Sequence, residues 1–167
     1  MMRQLTLSLL LTTTILAAPA SAQDRAWAYR PAPDPAQLGY ATPDSDDLVL
    51  ALSCSKDSRQ LVAHFPVDRR LATTLVGGRW LDDVGRAAPW PVSVTIASGE
   101  VQTTIPGQAD VDALGEGSII QVEFADRAPV AEAFARTGQI RFSALGGMVE
   151  PPPAPRRELR SFLRYCR

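Results

Sequence analysis

The sequence predicts a mainly β fold with minor α content: an antiparallel β-sandwich or half-barrel with one or two late helices. Three observations lead there. Short apolar or alternating runs recur along the chain, separated by turn residues. Fourteen prolines and eleven glycines punctuate the chain too often for long helices. Helical spacing is found mainly toward the C-terminus.

Arg25 to Arg30 alternates, with Trp27 and Tyr29 on one side and small residues on the other, and reads as a short first strand. Residues 31–39 (PAPDPAQLG) read as a proline-rich loop, with a brief pairing at Tyr40-Ala41-Thr42. Asp44 to Asp47 forms a turn into Leu48–Cys54, the most apolar strand and a central one. Lys56 to Arg59 is a turn of hairpin length, and Leu61–Pro66 is the return strand. Over 68–75 the spacing admits a helical turn, broken by Gly77-Gly78. Arg79 to Leu81 is a strand or a loop that packs Trp80. Pro91 to Ala97 places Val92, Val94 and Ile96 on one face. A two-residue turn at Ser98-Gly99 sends the chain back through Glu100 to Ile105. Gln108 to Leu114 reads as a short helix or loop closed by Gly115, and Ser118 to Phe124 as another strand.

Asp126 is the expected N-cap of a helix over Pro129 to Arg136 that Gly138 stops, with Val130, Ala133 and Phe134 as its buried stripe. Gln139 to Ala144 is a strand, Gly146-Gly147 turns the chain, and Pro151–Pro155 is a stiff spacer. In the last segment, Arg156 to Arg167, residues Leu159, Phe162, Leu163 and Cys166 recur at helical spacing on one face.

The first 22 residues predict the destination of the chain. Arg3, an apolar run from Leu5 to Leu16 and Ala20-Ser21-Ala22 have the layout of a cleaved secretory signal. The expectation is a single domain over 23–167 in the periplasm, with no membrane insertion after cleavage, because the apolar run is short for a bilayer crossing. Cys54 and Cys166 lie beyond the cut, and two thiols in an oxidising compartment pair. That Cys166 shares the apolar face of its helix supports the pairing. A redox or metal-binding role is disfavoured, since the chain has no C-x-x-C and one histidine.

Seventeen basic and 18 acidic side chains nearly cancel. This balance provides no global drive toward nucleic acid or an anionic membrane. His64, the one histidine, sits mid-strand on the face of Val62, with Ser53, Ser55, Ser58 and Asp57 on the same hairpin. A Ser-His-Asp set can be imagined there, but no G-x-S-x-G elbow accompanies it, and a hydrogen-bonded strand histidine is the simpler reading. No catalytic residue is assigned.

Asp44, Asp46 and Asp47 are the densest acidic cluster, yet the positions where an EF-hand needs glycine and glutamate hold Val49 and Ser55. Asp82-Asp83 with Glu132 or Glu150 is an equally weak glycosidase-type pair. No metal or cofactor is expected. Trp27, Tyr29, Trp80 and Trp90 read as core or edge packing before a ligand platform. Arg156, Arg157, Arg160 and Arg164 line the polar face of the last helix and are candidates to hold an anion or an acidic partner. A solvated face whose cations suit a helix C-terminus is the simpler reading, though no other surface feature is as concentrated.

Signal segment, tryptophan strand at Trp27, Cys-ended strand Leu48–Cys54, hairpin Val92–Ile105 and the terminal Phe162-Leu-Arg-Tyr-Cys166 together form a pattern. It resembles small exported alphaproteobacterial proteins, many of unknown function, and is distantly similar to the invasion-associated locus B type. The resemblance implies a periplasmic β-sandwich with an envelope or host-interaction role and without known catalysis, and it carries over no functional residues. The expected function is a non-enzymatic binding or accessory protein of the cell envelope, its partner an envelope protein or ligand. Two alternatives stand beside it. One is an inhibitor of an envelope-active enzyme, inserting 31–39 or the 82–91 loop with Trp90. The other is a small hydrolase using His64.

Overall fold

A computed structural model describes residues 25–31, 35–45, 47–113 and 116–167. The expected signal segment, Asp46, part of the proline-rich run and the Leu114-Gly115 stop lie outside these residues. The chain folds as β1 (Ala26–Arg30), β2 (Ala36–Ala41), β3 (Leu48–Cys54), β4 (Gln60–Val67), β5 (Thr74–Val76), β6 (Arg79–Leu81), β7 (Trp90–Ser98), β8 (Val101–Val111), β9 (Ser118–Ala125), α1 (Pro129–Thr137), β10 (Arg141–Ala144), β11 (Gly147–Val149) and α2 (Arg156–Cys166). Nine strands make one antiparallel sheet in the order β1-β2-β3-β4-β9-β8-β7-β10-β11, and β5 and β6 form a separate hairpin. The sheet curls into a half-barrel. Phe142 of β10 lies 5.3 Å from Phe65 of β4, although three strands separate them in the sheet order. Gly147 of β11 lies against the Val67 side chain.

Alternation decides which residues enter the curl. Leu50, Leu52 and Cys54 of β3 are buried, as are Leu61, Ala63 and Phe65 of β4 and Ile120, Val122 and Phe124 of β9. Their neighbours in sequence face outward. The helices close the inner side, α1 against β7 and β8 and α2 against β1 and β2. Helix α2 buries Leu159, Phe162, Leu163 and Cys166, the stripe its spacing predicts. Complete burial of each of its large apolar side chains is worth about 1.5–3 kcal/mol. The disulfide joins Cys54 at the end of β3 to Cys166 at the end of α2, with Cα atoms 5.6 Å apart. The loop after β3 also caps α2: the N–H groups of Asp57 and Arg59 donate to the carbonyls of Tyr165 and Cys166.

Five expectations need correction. Residues 36–39 are not loop. After Pro35 the prolines cease, and Ala36 and Leu38 alternate into the core as β2 pairs with β1 and β3. No helical turn occupies 68–75. Gly77 and Gly78 both take positive φ, the geometry of a two-residue hairpin turn, so they join β5 to β6 instead of ending a helix. The turn after β7 is Gly99-Glu100, because Ser98 still pairs with Val101. Strand β8 runs on to Val111 instead of becoming a helix or loop at Gln108. Pro106 is tolerated there because β8 pairs only with β7 at that position and meets β9 from Gln108 onward.

The fifth correction concerns Asp126, which caps nothing. Ala128 holds the N-cap position without a side-chain bond. Asp126 is turned inward, 2% exposed, with its carboxylate 3.2 Å from Arg167 Nε and 3.8 Å from Arg127 Nε. The helix starts behind Ala128, two residues beyond Asp126, so the carboxylate is left to face the arginines. Gly138 ends α1 in the left-handed conformation, as expected.

Candidate functional site

The outward face of the sheet carries the most organised surface. Register places Ala28 of β1, Gly39 of β2, Ala51 of β3, His64 of β4, Gln121 of β9, Gln108 of β8 and Pro91 of β7 in one cross-strand row. The row changes character at His64. On one side Ala28, Gly39 and Ala51 leave a shallow floor under a groove of about 590 Å³, whose lining includes Arg30, Gln37 and Asp44. On the other side His64, Gln121 and Gln108 line a second groove of about 440 Å³ with Asp110 and Asp112. A third hollow of about 450 Å³ continues past Gln108 and Gln121 to Pro91 and Pro106. His64 belongs to both of the first two grooves, and the two glutamines to both of the last two.

Two glycines of this surface differ in kind. A Cβ at Gly107 would lie 2.7 Å from Val94 Cγ2 and 2.8 Å from the Gln121 carbonyl oxygen, so packing demands glycine there. A Cβ at Gly39 would meet only the Leu50 carbonyl oxygen, at 3.8 Å, an ordinary contact. The fold would accept a side chain at Gly39, and a strand-interior glycine weakens pairing or marks a close approach from outside.

His64 Nε2 lies 3.2 Å from Gln121 Oε1. Ser53 pairs across from Val62, and Ser55, Asp57 and Ser58 lie around the β3–β4 turn, so the imagined Ser-His-Asp set is not brought together. The row instead offers an imidazole and two primary amides, able to donate and accept hydrogen bonds with neutral polar groups.

Asp47, Glu132 and Glu150 among the acidic candidates are engaged in pairs away from the row, and Asp44 lines the larger groove. Asp47 accepts from Thr42 Oγ1 at 2.8 Å and from Arg25 Nε at 3.0 Å; the hydroxyl first, then the guanidinium, hold its carboxyl below the ordinary value. Glu132 pairs with Arg127 and Arg167, and Glu150 with Arg141. No group of three or more potential metal ligands occurs among the described residues. The aromatic residues do not form one platform. Trp27 donates to the Pro152 carbonyl and tilts against Tyr40, Tyr29 meets Phe162 edge-on, and Trp80 lies under Arg70. Trp90 is 2% exposed and donates to the Arg86 carbonyl. It is not available to insert into a partner.

The loop after β6 is organised by Asp82. Its Oδ1 accepts from the N–H groups of Val84 and Arg86, and its Oδ2 from Arg86 Nε at 2.9 Å. Val84 stands exposed at the tip. Desolvation pushes the Asp82 carboxyl up, but the Arg86 bonds and the Val84 N–H outweigh it and leave the pKa lowered. A carboxylate with a depressed folded-state pKa stabilises above its unfolded value and loses that contribution as pH falls through the folded one. The loop is therefore expected to loosen below about pH 4, with no change above it. Amide exchange at Val84 and Arg86 checks this; equal protection at pH 3 and pH 6 would refute it.

Arg156, Arg157, Arg160 and Arg164 all lie exposed on α2, remote from the outward face of the sheet. The row containing Gly39, Gln108 and Gln121 was not found from sequence. Alternation predicts which residues of each strand face outward. Which strand lies beside which, across separations as long as that from His64 to Gln121, depends on the register of the whole sheet. Compared with known proteins, the chain matches no family model, no curated protein and no solved structure.

Proposed function

We propose that the chain is an exported binding or accessory protein of the cell envelope that takes an elongated ligand or partner segment along the outward face of its sheet. The observation that carries this reading is the continuous row through His64. Small side chains on one half let a chain or ring lie close to the backbone, while His64, Gln121 and Gln108 hydrogen-bond its polar groups. Export follows from the signal-like first 22 residues and agrees with a disulfide, a bond that persists in oxidising compartments. No helix among the described residues is long and apolar enough to cross a membrane.

A second reading, inhibition of an envelope enzyme, draws on the Asp82-braced loop. A loop held in shape before binding lowers the entropy cost of presenting Val84.

One experiment separates them. Gly39→Phe fills the larger groove while leaving the core untouched, because space for its Cβ already exists. Mild crosslinking in the periplasm is expected to trap a partner with the parent chain and to lose it with Gly39→Phe. Loss with Val84→Asp but not with Gly39→Phe moves the site to the loop. Equal capture by all three chains would sink both readings.

A further inference from the structure

Helix α2 holds an arrangement that its own stability disfavours. Of the chain's 17 basic residues five lie between 156 and 167, against one of its 18 acidic residues, so the remainder of the chain is distinctly acidic. At about 100° per residue, Arg156, Arg157, Arg160 and Arg164 fall within an arc of about 100°, beside the buried stripe. Glu158 lies outside that arc. Arg156–Arg160 and Arg160–Arg164 are like charges at i,i+4, a destabilising spacing. Arg156 and Arg157 also open the helix, where the backbone dipole disfavours cations.

Glu158 in the first turn and Arg164 in the last suit the helix dipole, but no opposite charge faces the arginine stripe itself. None of the four guanidinium groups makes an ion pair among the described residues, whereas Arg25, Arg86, Arg127, Arg141 and Arg167 all do. All four are exposed. A run of like charges at i,i+4 with no ion-pair partner in the fold is the pattern expected where an external ligand supplies the missing charge.

We infer that this face of α2 docks on the phosphate headgroups of an anionic lipid bilayer. The geometry favours a surface over a small anion. The stripe runs along the convex side of a helix, about 12 Å from Arg156 to Arg164. The grooves described above lie elsewhere, and none is lined by a residue of α2. Guanidinium groups pair readily with phosphate oxygens. This surface is separate from the His64 row, so either can fail without the other.

The test is co-sedimentation of the disulfide-bonded chain beginning at Gln23 with lipid vesicles. The vesicles are phosphatidylcholine alone or mixed with phosphatidylglycerol. Binding is expected to the mixed vesicles only, and to fall with added salt. Each arginine removed should weaken it about fivefold, so Arg160→Gln with Arg164→Gln costs on the order of 25-fold. The quadruple Gln variant abolishes it. Arg69→Gln with Arg79→Gln removes equal charge elsewhere and should change binding little. In the α2 variants, relieved i,i+4 repulsion offsets the favourable dipole contact of Arg164, so they should melt close to the parent, and lost binding is not lost folding. Equal binding to both vesicle types, or equal weakening by the two double variants, would overturn the inference. So would retention by inorganic polyphosphate or an acidic polypeptide without retention by vesicles.

Discussion

Cys54→Ser and Cys166→Ser are each expected to lower stability by about 4–5 kcal/mol, and by the same amount. The bond closes a loop of sequence separation 112, most of the described chain. In the chain-entropy account, a loop of that length restricts the unfolded ensemble by about this much. Both positions are buried, at 2% and 0% exposure, so neither serine regains hydration that the other lacks. For a chain of this size the loss corresponds to a fall in Tm of roughly 10–20 °C. Denaturant unfolding of the two variants, beside the reduced parent, provides the measurement. Clearly unequal losses would show that the cysteines act separately. The parent should show no titratable thiol until it is reduced. Because the bond ties the C-terminal end of α2 to β3, its loss should also raise amide exchange along α2 ahead of the sheet.

Phe142→Ala is the second large effect, with an expected loss of about 3–5 kcal/mol. Phe142 is fully buried, 5.3 Å from Phe65 and 6.2 Å from Phe124 between ring centroids. These three rings bring β10 against β4 and β9 across the interior of the curl. Truncation leaves a cavity at the point where the half-barrel closes, and the surrounding backbone, held in sheet pairing, has little freedom to collapse into it. Urea unfolding measures the loss directly. A change under about 1 kcal/mol would mean that the curl does not depend on this contact. Because the row through His64 lies on the other face, the variant should keep its outward surface as long as it stays folded.

Much of the local structure is legible in the residues. Strands β1, β3, β4, β7 and β9 announce themselves by alternation or by apolar runs bounded by turns. Helix α2 follows from the spacing of Leu159, Phe162, Leu163 and Cys166, and the end of α1 from Gly138. The errors share a cause. By sequence, residues 31–39 suggest a loop, Gly77-Gly78 a helix break, and the returning strand an end at Ile105, just before Pro106-Gly107. In the fold, Pro35 precedes a strand, Gly77-Gly78 turns a hairpin, and Pro106-Gly107 lies inside one. Breaker residues are ambiguous in sequence, because the same residue ends an unpaired segment or sits where one edge of a strand has no partner. Asp126 shows the same ambiguity for polar residues: its type and position suit an N-cap, but two arginines claim it.

By itself the sequence determined the fold class, most strand positions, the C-terminal helix, the cysteine pair and the basic face of α2. Each rests on short-range periodicity, or on a composition that leaves one partner available. Only the tertiary structure decided that nine strands form one curled sheet instead of two packed ones. It also decided that His64 meets Gln121 rather than a serine or an acid, and that Gly39, Ala51 and Gln108 share one row with it. Those outcomes depend on strand order and register. Both are set by the closure of the whole apolar interior, because a slip of one residue would turn every buried side chain to the opposite face.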